Sequence, residues 1–182
     1  EFRFFDTRSL RTYTERVADI RRDSDYVYHI ELKNDELKAF KNYTFYNDLN
    51  GGFLIKNKDM VGSPDIESDY AWVHFFLPYD NAQGAGNFYV LGKLTEWRLS
   101  KTNRMTYNYK KMGYECSLYI KQGYYNYSYV YLKDEKKGGD ETFSEGNHWE
   151  TENDYAIYVY HRQRGTYYDQ LVAIKRFNSN RK

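Results

Sequence analysis

The chain has 182 residues, with 27 Lys and Arg against 26 Asp and Glu, so its formal net charge is +1. That near balance gives no electrostatic basis for a nucleic-acid or anionic-membrane partner. A content of 41% hydrophobic and 20% aromatic residues, including 22 Tyr and 11 Phe, is enough to build a core and excludes a disordered chain.

The length suits one or two domains. A single cysteine, Cys116, excludes an internal disulfide. No apolar run approaches the ~20 residues of a membrane span, so no transmembrane segment is expected. The chain begins at Glu1 with neither a methionine nor a signal peptide, and reads as a mature fragment or a piece cut from something longer.

Residues 1–22 mix aromatics with arginines: Phe2-Arg3-Phe4-Phe5-Asp6, then Arg8, Arg11, Arg16, Arg21 and Arg22. Either an edge strand and loop pair these arginines with nearby carboxylates, or they form a contact surface of the kind rich in Arg and aromatics. Ser9 to Ile20 is the one weak helical candidate. Tyr26 to Leu32 alternates as a strand, with Tyr26, Tyr28, Ile30 and Leu32 sharing a face. Tyr43 to Tyr46 reads as a short strand, Asp48 to Gly52 as a hairpin turn, and Phe53 to Lys56 as the return.

Asp59 to Asp69 contains Gly62, Ser63 and Pro64 and is the best boundary in the chain. Tyr70 to Pro78 follows. Ala71, Val73, Phe75 and Leu77 make one apolar face; Trp72, His74 and Phe76 make a second. A strand apolar on both faces is expected to be covered on both, here by a sandwich core and by residues 1–58. Phe88 to Leu132 holds three or four strands with turn signals every 8 to 12 residues or so, the spacing of a β-sandwich. Tyr125, Tyr127, Tyr129 and Tyr131 fall on one face of its last strand. Lys133 to Asp140 is a charged hairpin tip and Glu145 to Asp154 an acidic loop. Tyr155 to His161 then reads as a strand entering the core, Gly165 as a turn, and Tyr167 to Phe177 as the last strand.

Diagnostic chemistry is sparse. His29, His74, His148 and His161 sit in no HExxH motif and have no CxxC partner. His148-Trp149-Glu150 has the H-x-E form of zinc deaminases without the paired cysteines. Glu145, Glu150, Glu152 and Asp154 offer oxygens to calcium, at a spacing that fits no known loop. A carboxylate pair for glycoside hydrolysis cannot be chosen from 26 acids, because the separation that matters is spatial. There is no G-x-S-x-G, S-x-x-K or phosphate loop. No catalytic residue, metal or cofactor is therefore expected. Cys116 lies in a strand-like run and reads as a small core hydrophobe. The tyrosines exceed what one core needs, so some should reach the surface, where Tyr serves protein interfaces and carbohydrate stacking.

Two resemblances add to this reading. Val90-Leu91-Gly92-Lys93-Leu94-Thr95-Glu96-Trp97 and then Gly123-Tyr124-Tyr125-Asn126-Tyr127-Ser128-Tyr129 resemble early-set immunoglobulin-like domains of the glycogen- and starch-binding type. In that family Trp97 would be a sugar-stacking ring. The sugar-contacting lysine of the second motif is Ser128 here, and Leu132-Lys133-Asp134 stands where a further tryptophan is expected.

The second resemblance spans nearly the whole chain. It rests on Phe2 to Leu10, Phe45 to Gly51, Tyr70 to Phe75, Gln122 to Tyr127 and Glu145 to Asn153. These segments resemble the C-terminal portion of a Bacteroidota family associated with the plug of the type IX secretion translocon. The resemblance implies a multi-domain periplasmic β protein at the outer membrane, a preceding β domain, an outer-membrane translocon protein as partner, and no catalytic residues.

The resulting expectation is an all-β, immunoglobulin-like early-set sandwich over residues 66–177, with additional strands from residues 1–65 packed on it and a tail at 178–182. Its function would be non-enzymatic protein binding as a translocon plug. The alternatives are a carbohydrate-binding module or an accessory domain of a glycan-active enzyme. The candidate binding residues are Trp97, Arg3, Arg8, Arg162, Arg164, His148 and Trp149.

Overall fold

The structure, a computed structural model, describes residues 2–44, 46–80, 82–136 and 138–179. The chain divides into two compact units, Glu1–Asn147 and His148–Lys182.

The first unit is built from β1 (Arg3–Asp6), β2 (Val17–Arg22), β3 (Tyr28–Leu32), β4 (Phe53–Ile55), β5 (Tyr70–Pro78), β6 (Gly86–Leu91), β7 (Thr106–Asn108), β8 (Gly113–Lys121) and β9 (Gly123–Lys133). Two four-residue helices, α1 (Pro64–Glu67) and α2 (Thr142–Glu145), decorate it. One sheet runs β2-β3-β5-β8-β7. The other is organised on β9, which carries β1, β4 and β6. All pairings are antiparallel except β3 with β5, which is parallel. A parallel pair needs a crossover, and residues 33–69 supply it by visiting the opposite sheet as β4.

Consecutive strands β8 and β9 lie in opposite sheets, joined at Gln122. Gln122 is 2% exposed; its side-chain Oε1 accepts from Asp69 N, while its backbone N donates to Asp69 O. Gly123 is required next. A Cβ there would lie 2.6 Å from Leu54 O, where β4 passes.

The core follows from alternation. Phe5, Tyr125, Tyr127, Tyr129, Tyr131, Phe88 and Val90 face in from the β9 sheet; Ile30, Leu32, Ala71, Val73, Phe75, Leu77, Tyr114, Cys116 and Leu118 face in from the other. Rings interlock between the sheets, with centroids 5.5 Å apart for Phe5 and Phe75, 5.1 Å for Phe75 and Tyr127, and 4.8 Å for Phe88 and Tyr114. The molecule is thus an all-β sandwich, the fold class expected, and its four period-two tyrosines are buried as read.

The boundary expected at residue 65 divides nothing. β1 pairs with β9 in one sheet, and β2 and β3 extend the other beside β5. This also corrects the reading of β5. Residues 17–32 lie next to it in the plane and cannot cover its second face, so Trp72 remains 38% exposed. Ser9 to Ile20 is not a helix: Ser9 Oγ accepts from Arg11 N and Thr12 N in a bend, and β2 starts at Val17. Tyr43 to Tyr46 forms no strand among the described residues, Phe45 lying outside them, and β4 pairs with β9 instead.

The second unit is a hairpin of β10 (Asp154–His161) and β11 (Gln170–Asn178), which pair only with each other. The strand expected to enter the core is therefore absent from the sandwich. Tyr155, Ile157, Val159 and Phe177 share one face of the hairpin; Tyr158, Ile174 and, past a bulge at Val159/Tyr160, Tyr160 and Leu171 occupy the other. All of them are exposed.

Candidate functional site

Arg3, expected at a contact surface, is instead 5% exposed in the interior. Its Nε donates to Glu145 Oε1 at 2.8 Å, one Nη to Asp35 Oδ1 at 3.2 Å and the other to Glu36 O at 2.7 Å. Asp35 also accepts from Arg16 at 2.7 Å and from the Tyr127 and Tyr129 hydroxyls at 2.6 and 2.7 Å. Burial opposes the guanidinium charge of Arg3, but Glu145 and Asp35 outweigh it and its pKa rises. Burial, joined by Asp35, pushes both phenols well above their ordinary range. The cluster ties the crossover, β1, β9 and α2 together. Glu145, read as part of a solvated acidic loop, belongs to it. Arg3, Arg16, Asp35 and Glu145 each make at least one of these contacts, and Glu145 Oε2 is buried without a hydrogen-bond partner among the described residues.

Arg8 makes a bidentate pair with Asp6, at 2.8 and 2.6 Å, and lies 5.5 Å from the Tyr124 ring. That is the plain pairing with a nearby carboxylate. Trp97 is 46% exposed; its ring packs edge-on to Phe2 and over Gly51, where an added Cβ would lie 2.3 Å from the indole. Glu96 and Trp97 both hold left-handed φ, 54° and 58°, a conformation that costs non-glycine residues energy. The remaining candidates lie in the second unit. Trp149 is 91% exposed, His148 is half-buried, Arg164 is exposed, and Arg162 pairs with Asp169 at 2.8 Å. Four of the seven candidates lie in the hairpin unit and three at separate places in the sandwich. Ser128, at the position of the family's sugar-contacting lysine, is 3% exposed and its hydroxyl has no hydrogen-bond partner among the described residues. Among the described residues, no group of three or more His, Cys, Asp or Glu is placed to hold a metal ion.

The open face of the β5 sheet carries what the sequence reading missed. Strand register sets Trp72 opposite Tyr119 and His74 opposite Ser117 on β8, and His29 beside Trp72 on β3. Tyr119 stacks on Tyr70 at 5.5 Å and meets Trp72 tilted at 5.1 Å, and Lys121 Nζ lies 5.6 Å from the Tyr70 ring. These rings pack on one another and remain between 38% and 51% exposed.

Beside them runs a hydrogen-bonded line of four side chains. Asp23 Oδ2 is 3.1 Å from His29 Nε2, His29 Nδ1 is 3.0 Å from His74 Nε2, and His74 Nδ1 is 2.7 Å from Ser117 Oγ. The imidazole planes are within 7° of parallel with centroids 5.2 Å apart, so with nitrogens this close the rings meet edge to edge. With Asp23 ionised and both rings neutral, one proton arrangement satisfies every contact: His29 Nε2–H donates to Asp23, His74 Nε2–H to His29, and the Ser117 hydroxyl to His74 Nδ1. Asp23 also accepts from Val27 N and Asp25 N; with His29 these hold it below the usual carboxylate range. Burial lowers the pKa of His74, aided by His29 and opposed by Glu31. A groove of about 430 Å³ opens beside the line, lined in part by Ser117, His74, Arg104 and Lys111. No sequence motif signals it, because β3, β5 and β8 contribute one member each and the β2–β3 turn the fourth.

No family model matches the chain, and no curated protein does. Among solved structures it is similar to the crystal structure of a hypothetical protein from Parabacteroides merdae ATCC 43184, determined at 2.30 Å, with a TM-score of 0.86 and 32% identity over 98% of this chain and 44% of that one. The chain thus spans less than half the length of that neighbour.

Proposed function

We propose that the chain is a protein-binding module working in the periplasm, of the kind that closes the empty type IX outer-membrane translocon. One observation carries the reading: β10 and β11 form a two-stranded ribbon with large apolar side chains on both faces, Ile157 and Phe177 on one and Tyr158 and Ile174 on the other, all about half exposed. Such a ribbon is marginal in water alone, and contiguous exposed apolar surface marks an interaction site. Tyr, Trp and Arg concentrate in this unit, at Tyr155, Tyr158, Tyr160, Trp149, Arg162 and Arg164, and these types dominate interface centres. A net charge of +1 makes the attachment apolar rather than electrostatic, so it weakens only modestly with salt. Among the described residues no helix is long and apolar enough to cross a membrane.

The test is co-purification from native outer-membrane extract with mass spectrometry of the captured protein. The translocon should be recovered with the unaltered chain and lost with Ile157→Lys plus Ile174→Lys. Deleting the gene should leave secretion partly working and the outer membrane leaky to large antibiotics. Unchanged permeability and no translocon recovered would defeat the reading. A second reading, carbohydrate binding, draws on the half-exposed Trp97 ring alone. With Ser128 buried, calorimetry should detect no binding to glycogen, starch or cyclodextrin; sub-millimolar affinity for any of them would put that reading first.

A further inference from the structure

We infer that Ser117 is an activated nucleophile, and that the groove beside it accepts small-acyl carboxylic esters. A lone Ser–His contact on a sheet surface is most often only a hydrogen bond. Here the base is oriented as well. His74 cannot place its proton on Nδ1, because its Nε2 faces the His29 lone pair and His29 in turn is committed to Asp23. Nδ1 is thereby left as a lone pair 2.7 Å from the serine hydroxyl, which is exposed on β8. A nucleophile, a base within hydrogen-bond reach, and a third group orienting the base constitute the geometric requirement for nucleophilic catalysis.

The groove also carries charge suited to acyl transfer. Arg21 is paired with Glu31 at 3.1 Å and Lys111 with Glu115 at 3.1 Å, but Arg104 has no carboxylate partner among the described residues. Its guanidinium is the group available to a developing oxyanion or to an anionic substituent of the ester. The lining is polar apart from Phe76 and the buried Phe75 and Cys116, so it offers no channel for a long acyl chain.

The chemistry balances without a cofactor. Ser117 Oγ bonds to the ester carbonyl carbon as its proton passes to His74 Nδ1. The carbon–oxygen bond to the alcohol breaks, and the alkoxide takes that proton. Water then attacks the acyl-serine carbonyl, giving a proton to His74 Nδ1; the acyl carbon–Oγ bond breaks, Ser117 Oγ takes that proton back from His74, and the free acid leaves. Ser117 and His74 are the catalytic residues; His29 and Asp23 are positioning residues that act through His74.

The experiment treats the 182-residue protein with a fluorophosphonate probe and with p-nitrophenyl acetate, followed by peptide mapping. The expected result is a single adduct at Ser117, absent from Ser117→Ala, an exposed substitution that leaves the fold intact. His29→Gln should slow acetate release about tenfold or more and move the midpoint of the pH–rate profile, a shift that a merely structural role would not produce. Arg104→Ala should lower the rate while leaving that midpoint unchanged. If the folded protein carries no adduct at Ser117 after prolonged exposure, or Ser117→Ala releases acetate as fast as the unaltered chain, the inference is wrong.

Discussion

Asp35 shows how one side chain can hold a sandwich together. It is 3% exposed and receives two cations and two phenols, so removing it leaves Arg3 buried with half its compensation and two tyrosine hydroxyls without an acceptor. Breaking a buried ion pair by deleting one partner costs about 3–5 kcal/mol, and Asp35→Ala should lower chemical-denaturation stability by that order. A loss below about 1 kcal/mol would mean that water reaches the cluster. Trp97 is the opposite case. Half its surface is free and its backbone is held left-handed, so Trp97→Ala should cost about 2 kcal/mol, less than the 3–5 kcal/mol of a fully buried ring. Chemical denaturation of the two variants beside the unaltered chain tests both numbers. Cys116 is a third: burial pushes its thiol up to about 11. It should resist alkylation at pH 8 in the folded protein and react at once when unfolded; equal rates in both states would contradict its place in the core.

At the level of strands, sequence periodicity located most elements but not their neighbours. Alternation in Tyr125 to Tyr131 and in Ala71 to Leu77 gave both core faces correctly, because side-chain direction is local. Pairing is not local. The parallel union of β3 with β5 is set by a crossover of 33–69 through the opposite sheet, so nothing in Tyr28 to Leu32 announces that His29 will meet His74. Arg3 misled for a related reason. It shares a strand with Phe5, pointing inward, and the carboxylates that receive it come from residues 35 and 145. Tyr155 to His161 misled in the other direction: its alternating apolar pattern is that of a core strand, and among the described residues it pairs with β11 alone.

The His29–His74 contact also makes a prediction at this scale. His74 is held below its ordinary pKa, so near that ordinary value of about 6.5 the unfolded chain binds more protons than the folded one. The contribution of His74 to stability is complete above that range and declines as pH falls through it. Arg21 and Lys111 add to the penalty for a second charge, while Glu31 relieves it. The melting temperature of the unaltered protein should therefore drop more between about pH 7.5 and 5 than that of His74→Gln. Parallel curves would contradict a lowered pKa for His74.

Taken whole, the chain separates the parts that make it stable from the part proposed to bind. Among the described residues, every buried hydrophobic residue, from Phe5 to Tyr131, belongs to the first unit. The second unit keeps its large apolar side chains, Ile157 and Ile174 among them, at about half exposure. Lysines at those two positions should therefore leave the melting of the sandwich within a degree or so, since they remove no core contact and open no cavity. Capture of the translocon should fall at least a hundredfold, because two charges would have to be desolvated at the centre of an apolar contact. Residues 1–147 expressed alone should fold with the full core and capture nothing. Melting curves and quantitative pull-downs on the same three proteins separate the outcomes. If the double lysine variant loses its sandwich transition, the hairpin is part of the fold rather than a binding element. If it melts normally and still captures the translocon, contact is made elsewhere, with the Trp72–Tyr119 face of the β5 sheet as the next surface to alter.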